Sequence, residues 1–179
     1  MIIGLTGTNG AGKSTIAEIL KSKGFTYNSL SDVLREESAK RGIRPTRDNL
    51  VVIGNELRMS QGNGVLAKKI LEKVRSNKEK KAIVDSIRNP DEINELRKEK
   101  DFMLIAVDAP IETRFERVKA RGRTGDKALT FDDFRYQDER EMVGESAAQQ
   151  IRKCIEMADH LIVNDGAIED LKKKIEEIL

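Results

Sequence analysis

The hydrophobic positions of this 179-residue chain follow two alternating rhythms: short unbroken apolar runs, and longer stretches with an apolar residue every three or four positions. The first rhythm belongs to strands buried on both faces and the second to amphipathic helices. Residues 1–6 (MIIGLT) read as a strand carried by Ile2, Ile3 and Leu5, and Ile16, Ile19 and Leu20 place a helix directly after it. Gly24 breaks that helix. Residues 25–30 (FTYNSL) then read as a second strand, whose end offers Ser31 or Asp32 as the cap of a helix over 33–40. After a polar stretch with Gly42 and Pro45, helices are expected over 48–59 and 65–74, separated by Gly62, Asn63 and Gly64. Further strands fall at 81–84, 102–107 and 160–163. Between and beyond them come a short helix from Asn89 and Pro90 to about Lys98, a basic helix after Pro110, and helices over 131–141 and 147–157. A last helix has Ile168, Leu171, Ile175 and Ile178 on one face. This alternation predicts an α/β domain around a mainly parallel sheet, with an all-helical insertion between the second and third strands.

Composition narrows the class. The length suits one domain with a sizeable core. Lysine and arginine number 33 against 31 acidic residues, and the 36% charged content is dispersed along the chain, so non-specific nucleic-acid binding is not suggested. The single cysteine, Cys154, excludes an internal disulfide framework or a cysteine-based zinc site and reads as core packing. No signal peptide and no apolar run of membrane-spanning length is visible, so a cytoplasmic chain without membrane partners is expected. Oligomeric state is not legible. His160, the only histidine, lies in an expected strand, and no histidine acid/base chemistry is anticipated.

The chemistry starts where the first strand ends. Gly7, Thr8, Asn9, Gly10, Ala11, Gly12, Lys13 and Ser14 fit the pattern G-x-x-x-x-G-K-[ST], set between a strand and a helix as a phosphate-binding loop requires. Glycines let successive N–H groups turn inward, and the following helix offers its positive end. Lys13 reaches β- and γ-phosphates, Ser14 is placed to ligate Mg²⁺, and Thr15 follows in the first helical turn. The implied ligands are ATP and Mg²⁺. Other strand ends converge on the same sheet edge, where open α/β folds bind ligands. Asp85, an acid ending an apolar strand, is placed to orient Mg²⁺ waters, and Arg88 follows it. Arg35 and Asp32 follow the second strand. An arginine on a helix is ordinarily solvated, and an aspartate before a helix is ordinarily its cap; convergence at one edge is what distinguishes these.

With these residues in view, the chain resembles the P-loop nucleoside monophosphate kinases, above all adenylate kinase and archaeal adenylate-kinase-related proteins. Ser29 to Arg35 (SLSDVLR) is similar to the S-T-G-D-x-x-R segment of adenylate kinases without its glycine. Asp85, Ser86, Ile87, Arg88 is similar to D-G-x-P-R with one residue fewer. Pro110, Glu112, Arg117 and Arg121 look like P-x-E-x-x-x-x-R-x-x-x-R. The resemblance implies a three-layer P-loop kinase fold with five parallel strands in the order 2-3-1-4-5, an acceptor-binding insertion over about 32–76 and a lid over about 121–134. It implies that Arg35 and Arg88 clamp the acceptor's phosphate, with Asp32 and, by weaker analogy, Arg58 beside them. Arg117 would lie against the ATP base and Arg121 on the transferring phosphates. The segment 158–166 (ADHLIVNDG), which puts Asn164 on the donor side, is similar to the C-terminus of dephospho-coenzyme A kinases, which phosphorylate a ribose hydroxyl; there Asp32 would act as base. Their substrate-region His-Pro is not found. Switch GTPases fit less well, because 77–80 (NKEK) lacks the aspartate of N-K-x-D. The readings left open are monophosphate kinase first, dephospho-coenzyme A kinase-like second, and a nucleotide-binding regulatory protein with little turnover.

Overall fold

A computed structural model describes residues 1–122, 128–144 and 146–179. The strands are β1 (Ile2–Gly7), β2 (Thr26–Ser29), β3 (Ala82–Ile87), β4 (Phe102–Asp108) and β5 (His160–Val163). They form one parallel sheet in the order β2-β3-β1-β4-β5, as expected. Helices fill the connections: α1 (Lys13–Ser22), α2 (Leu30–Lys40), α3 (Arg47–Gln61), α4 (Val65–Ser76), α5 (Pro90–Leu96), α6 (Ile111–Arg121), α7 (Phe131–Met142), α8 (Ile151–Glu156) and α9 (Ile168–Ile178). Among the described residues, no helix is long and apolar enough to cross a membrane. The expected lid over about 121–134 includes 123–127, which lie outside the described residues.

The period-two alternation of buried strands sends side chains to two cores, which makes three layers. Ile3, Leu5, Ile83, Ile105 and Val107 pack under α1 and α9 with Ile16, Leu20, Leu171 and Ile175. On the opposite face, Ile2, Val84 and Leu104 meet the helical insertion through Leu30, Ile53, Leu66 and Ile70, and Cys154 lies fully buried in this second core.

Several boundaries shift by a few residues from the sequence reading; β3, expected over 81–84, runs on to Ile87 and so takes in Asp85, and two further differences have a clear cause. The cap of α2 is Ser29, whose side chain accepts from Ser31 N at 3.2 Å, so strand passes into helix with no loop and neither Ser31 nor Asp32 is the cap. The helix expected over 147–157 is reduced to α8. The preceding residues turn their carbonyls outward instead: Asn89 Nδ2 donates to Ser146 O and Ala148 O, and Gln150 N donates to Arg88 O at 2.7 Å. Those contacts take backbone groups that a helix would consume internally.

Glu92, fully buried on α5, joins the insertion to the sheet edge. One carboxylate oxygen accepts from Arg58 Nε at 3.1 Å and Nη2 at 2.7 Å; the other accepts from the backbone N–H groups of Arg88 at 2.9 Å and Asn89 at 3.1 Å. It therefore completes the capping box of α5 while fixing the turn that presents Arg88. Removing one member strands a buried charge, so Glu92→Gln and Arg58→Met should each lose about 3–5 kcal/mol of unfolding free energy in denaturant titration. Losses below about 1 kcal/mol would show that the pair is not fixing this junction.

Candidate functional site

The loop at the end of β1 is shaped by backbone that only glycine tolerates. Gly7 has φ +125°, and a Cβ there would stand 1.9 Å from Val107 O; Gly12 has φ +104°, and its Cβ would meet Asn164 Nδ2 at 2.3 Å. Gly12 is also the N-cap of α1, with no side-chain cap and no acid in the first turn, so the first amides of that helix keep their donor capacity. The loop is braced from three sides. Thr8 Oγ1 donates to Asp108 Oδ1 at 2.6 Å, Asn164 Nδ2 donates to Ala11 O at 2.7 Å, and Arg114 Nη1 reaches Asn9 O at 3.5 Å. Arg117 Nη1 donates to Asn164 O at 3.0 Å, which links α6 to the same brace.

Lys13 folds back over the loop, its ammonium donating to Gly7 O at 2.8 Å and Thr8 O at 2.7 Å. Burial pushes its pKa down to about 8; Asp85 works against the shift and Arg88 with it. Asp85, buried within β3 two residues before its end, accepts from Tyr27 Oη at 2.7 Å and from Ser86 N at 2.6 Å. Burial first, then Asp85, pushes the Tyr27 phenol up, so it stays protonated as the donor. Just here β3 bulges: Gly4 pairs with Val84 but Thr6 pairs with Ile87, leaving Leu5 opposite both Asp85 and Ser86. Ser86 adopts φ +67°, a conformation costing a non-glycine residue about 1–2 kcal/mol. Thr6 Oγ1 holds the far side by donating to Ile87 O at 2.9 Å. A short, strained turn thus sets Asp85 and Arg88 apart.

Beside the loop lies a cleft of about 670 Å³. Asn9, Ser86 and Gln149 line it together with six arginines, Arg35, Arg44, Arg47, Arg58, Arg88 and Arg121, and among the described residues no aspartate or glutamate joins the lining. Leu30, Leu34, Leu50, Val51 and Leu66 supply its apolar lining. The sequence-derived residues Arg35, Arg58, Arg88 and Arg121 are therefore brought together, whereas Asp32 lies outside this lining, bound to Arg35 Nη1 at 2.7 Å in a half-exposed pair. Arg58 lines the cleft with part of its guanidinium committed to Glu92. Ser14 is exposed and Thr15 half-buried at the start of α1.

Sequence reasoning missed several participants. Arg114, 5% exposed, makes a two-pronged pair with Asp138 at 2.6 and 2.8 Å and donates Nε to Ala109 O, so it locks α6, α7 and the loop together. Asp108, Arg44, Arg47, Gln149 and Glu141 carry no motif of their own. Glu141 on α7 pairs with Arg47 and lies 3.6 Å from Arg88 Nη1.

Comparison with known proteins places this geometry. Residues 3–143 match the family AAA_18, an AAA domain. A UPF0200 protein of Thermococcus gammatolerans is 38% identical over 184 residues, covering 100% of this chain and 94% of that protein. One from Sulfurisphaera tokodaii is 36% identical, covering 99% and 95%. Among solved structures, TT1252 from Thermus thermophilus is 26% identical with a TM-score of 0.63, covering 99% of this chain and 95% of its own. The shikimate kinase of Aquifex aeolicus, 17% identical with a TM-score of 0.52 and the same coverage, shares the fold.

The lowered Lys13 pKa gives a pH signature. In the free protein Lys13 loses its proton as pH rises through about 8, and phosphate binding requires that proton. The association constant for ATP at saturating Mg²⁺ should therefore hold below about pH 7.5 and fall by up to about tenfold per pH unit above 8. Lys13→Arg keeps its charge and should flatten the fall. A parent protein with no alkaline limb in calorimetric titration would contradict this.

Proposed function

This chain belongs to the P-loop kinase superfamily, in the AAA domain family AAA_18 and among the UPF0200 proteins, and from that premise we propose that it transfers the γ-phosphoryl group of Mg-ATP to a nucleoside monophosphate. Membership alone points to phosphoryl transfer. The observation that carries the acceptor class is the cleft beside the loop, whose described lining combines six arginines and no carboxylate with the apolar side chains of Leu30, Leu34, Leu50, Val51 and Leu66. Such a lining suits a ligand with a strongly anionic group and a flat, weakly polar body, with AMP or a deoxynucleoside monophosphate foremost. A hydroxyl acceptor as in dephospho-coenzyme A would need a base, and Asp32, outside the cleft lining and bound to Arg35, is poorly placed for it.

The residues present fit Mg-ATP: the glycine cradle leaves no room for a Cβ, and Lys13, Ser14 and Asp85 supply the donor set. When bound, Mg-ATP brings the phosphoryl group and a cation that offsets its charge. In this reading Thr8, Asn9, Gly10, Ala11, Gly12 and Thr15 hold the donor phosphates with Lys13, and Ser14 and Asp85 hold the metal or its waters. Arg117 and Asn164 support the donor side, and Arg121 neutralises charge at the transferring group. Arg88, Arg35 and Arg58 form the acceptor side, with Asp32 orienting Arg35. The products are ADP and a nucleoside diphosphate, and no side-chain nucleophile is needed, so catalysis is positioning plus electrostatics. The chain acts as one domain in the cytoplasm, with residues 32–76 as the acceptor-binding insertion.

A screen of Mg-ATP against all nucleoside monophosphates and dephospho-coenzyme A, reading ADP formation, tests the proposal. Turnover is expected with at least one monophosphate and not with dephospho-coenzyme A. Arg88→Ala should lower kcat/KM for the acceptor by about tenfold to a thousandfold with ATP affinity little changed, and Asp32→Asn should act mildly. A loss confined to Asp32→Asn, or tight ATP binding with no turnover of any acceptor, would contradict it.

A further inference from the structure

Two of the cleft arginines arrive from distant parts of the chain and meet at one carboxylate. Arg47 stands at the start of α3 and Arg88 just beyond β3. Glu141 of α7 accepts from Arg47 Nε at 3.1 Å and, more closely, from Nη2, and its second oxygen lies 3.6 Å from Arg88 Nη1. Half of the α7 residues are exposed, yet Glu141 is only 8% exposed. Burial would raise its pKa, but Arg88, Arg47 and Lys13 outweigh burial and hold it below the usual carboxylate range, so it is an anion.

The way each arginine spends its nitrogens decides what the carboxylate is for. Arg47 gives Glu141 its Nε and Nη2 edge, and among the described residues Nη1 has no partner. Arg88 gives Nη1 to Gln149 Oε1 at 2.8 Å and the longer contact to Glu141, and keeps Nε and Nη2. Both line the cleft while holding Glu141, which is itself absent from the lining. A carboxylate behind two guanidinium groups cancels part of their repulsion and fixes both planes, leaving their other edges for a ligand anion. Arg35, by contrast, is held only by a half-exposed partner one helical turn away, a pairing that constrains little.

We propose that Glu141 is a positioning residue that joins Arg47 and Arg88 into one anion site, and that Arg47, with Arg88, is a ligand of the acceptor's phosphate. The identity of that acceptor rests on the monophosphate reading above; the anion site does not.

Inorganic phosphate is the probe, titrated calorimetrically into the full chain with the P-loop saturated by a non-hydrolysable ATP analogue and Mg²⁺. Glu141→Gln and Arg47→Ala should each weaken phosphate binding about tenfold or more. The double variant should be no weaker than the worse single one, because both act on one site. Glu141→Asp should recover part of the loss, affinity for the ATP analogue should stay within about threefold, and circular dichroism should match the parent. Unchanged phosphate affinity in Arg47→Ala, or tighter binding in Glu141→Gln, would overturn the proposal; the latter would make Glu141 a competitor of the ligand. If the acceptor screen finds no turnover while this coupling holds, the kinase reading fails and the anion site stands.

Discussion

Six guanidinium groups can line one cleft only if their mutual repulsion is carried elsewhere. Two unit charges 4 Å apart at an effective dielectric near 20 repel by about 4 kcal/mol, so bare crowding on that scale would rival the stability of a domain. Here the counter-charges stand behind the lining: Glu92 on Arg58, Glu141 on Arg47 and Arg88, and Asp32 on Arg35. The lining stays cationic while the folded chain stays tolerable. The same carboxylates tie the insertion to the sheet, since α3 reaches α5 through Glu92 and α7 through Glu141.

The phosphate-binding loop is supported by the same logic on the other side of β1. Its glycines permit backbone that no side chain would tolerate, and its shape is then secured from outside by Asp108 of β4, Asn164 after β5 and Arg114 of α6. The strand order matters because β3 and β4 flank β1, so the charge of Asp85 in β3 acts on Lys13 and Asp108, the last residue of β4, takes the Thr8 hydroxyl. Donor loop and arginine cleft meet at Asn9 and Ser86, the latter at the bulge.

Much of this was legible because it is local. The loop motif, the parallel-strand runs and the amphipathic stripe of α9 are periodic or contiguous, and resemblance supplied the strand order that the structure shows. What escaped is non-local. Arg58 and Glu92 are 34 positions apart and Arg47 and Glu141 are 94 apart, separations at which no spacing rule links an acid to a base. Capping failed for a different reason: Ser29, Ser31 and Asp32 are all competent caps, and pairing of β2 with β3 through Ser29 decides among them. The shortened α8 reflects competition for backbone groups by Asn89 and Arg88, which sequence cannot display. The shortened D-S-I-R segment became intelligible as a bulge with Ser86 at positive φ.

The central claim is that donor loop and arginine cleft form one continuous track for two nucleotides joined at their phosphates. A bisubstrate compound, two nucleosides linked 5′ to 5′ through five phosphates, spans such a track, and its affinity can be compared with that of ATP by calorimetry in the presence of Mg²⁺. The account predicts binding at least about a hundredfold tighter than ATP for the compound carrying the correct acceptor base, because the second half binds at high effective concentration. Affinity no greater than that of ATP for every base would contradict it.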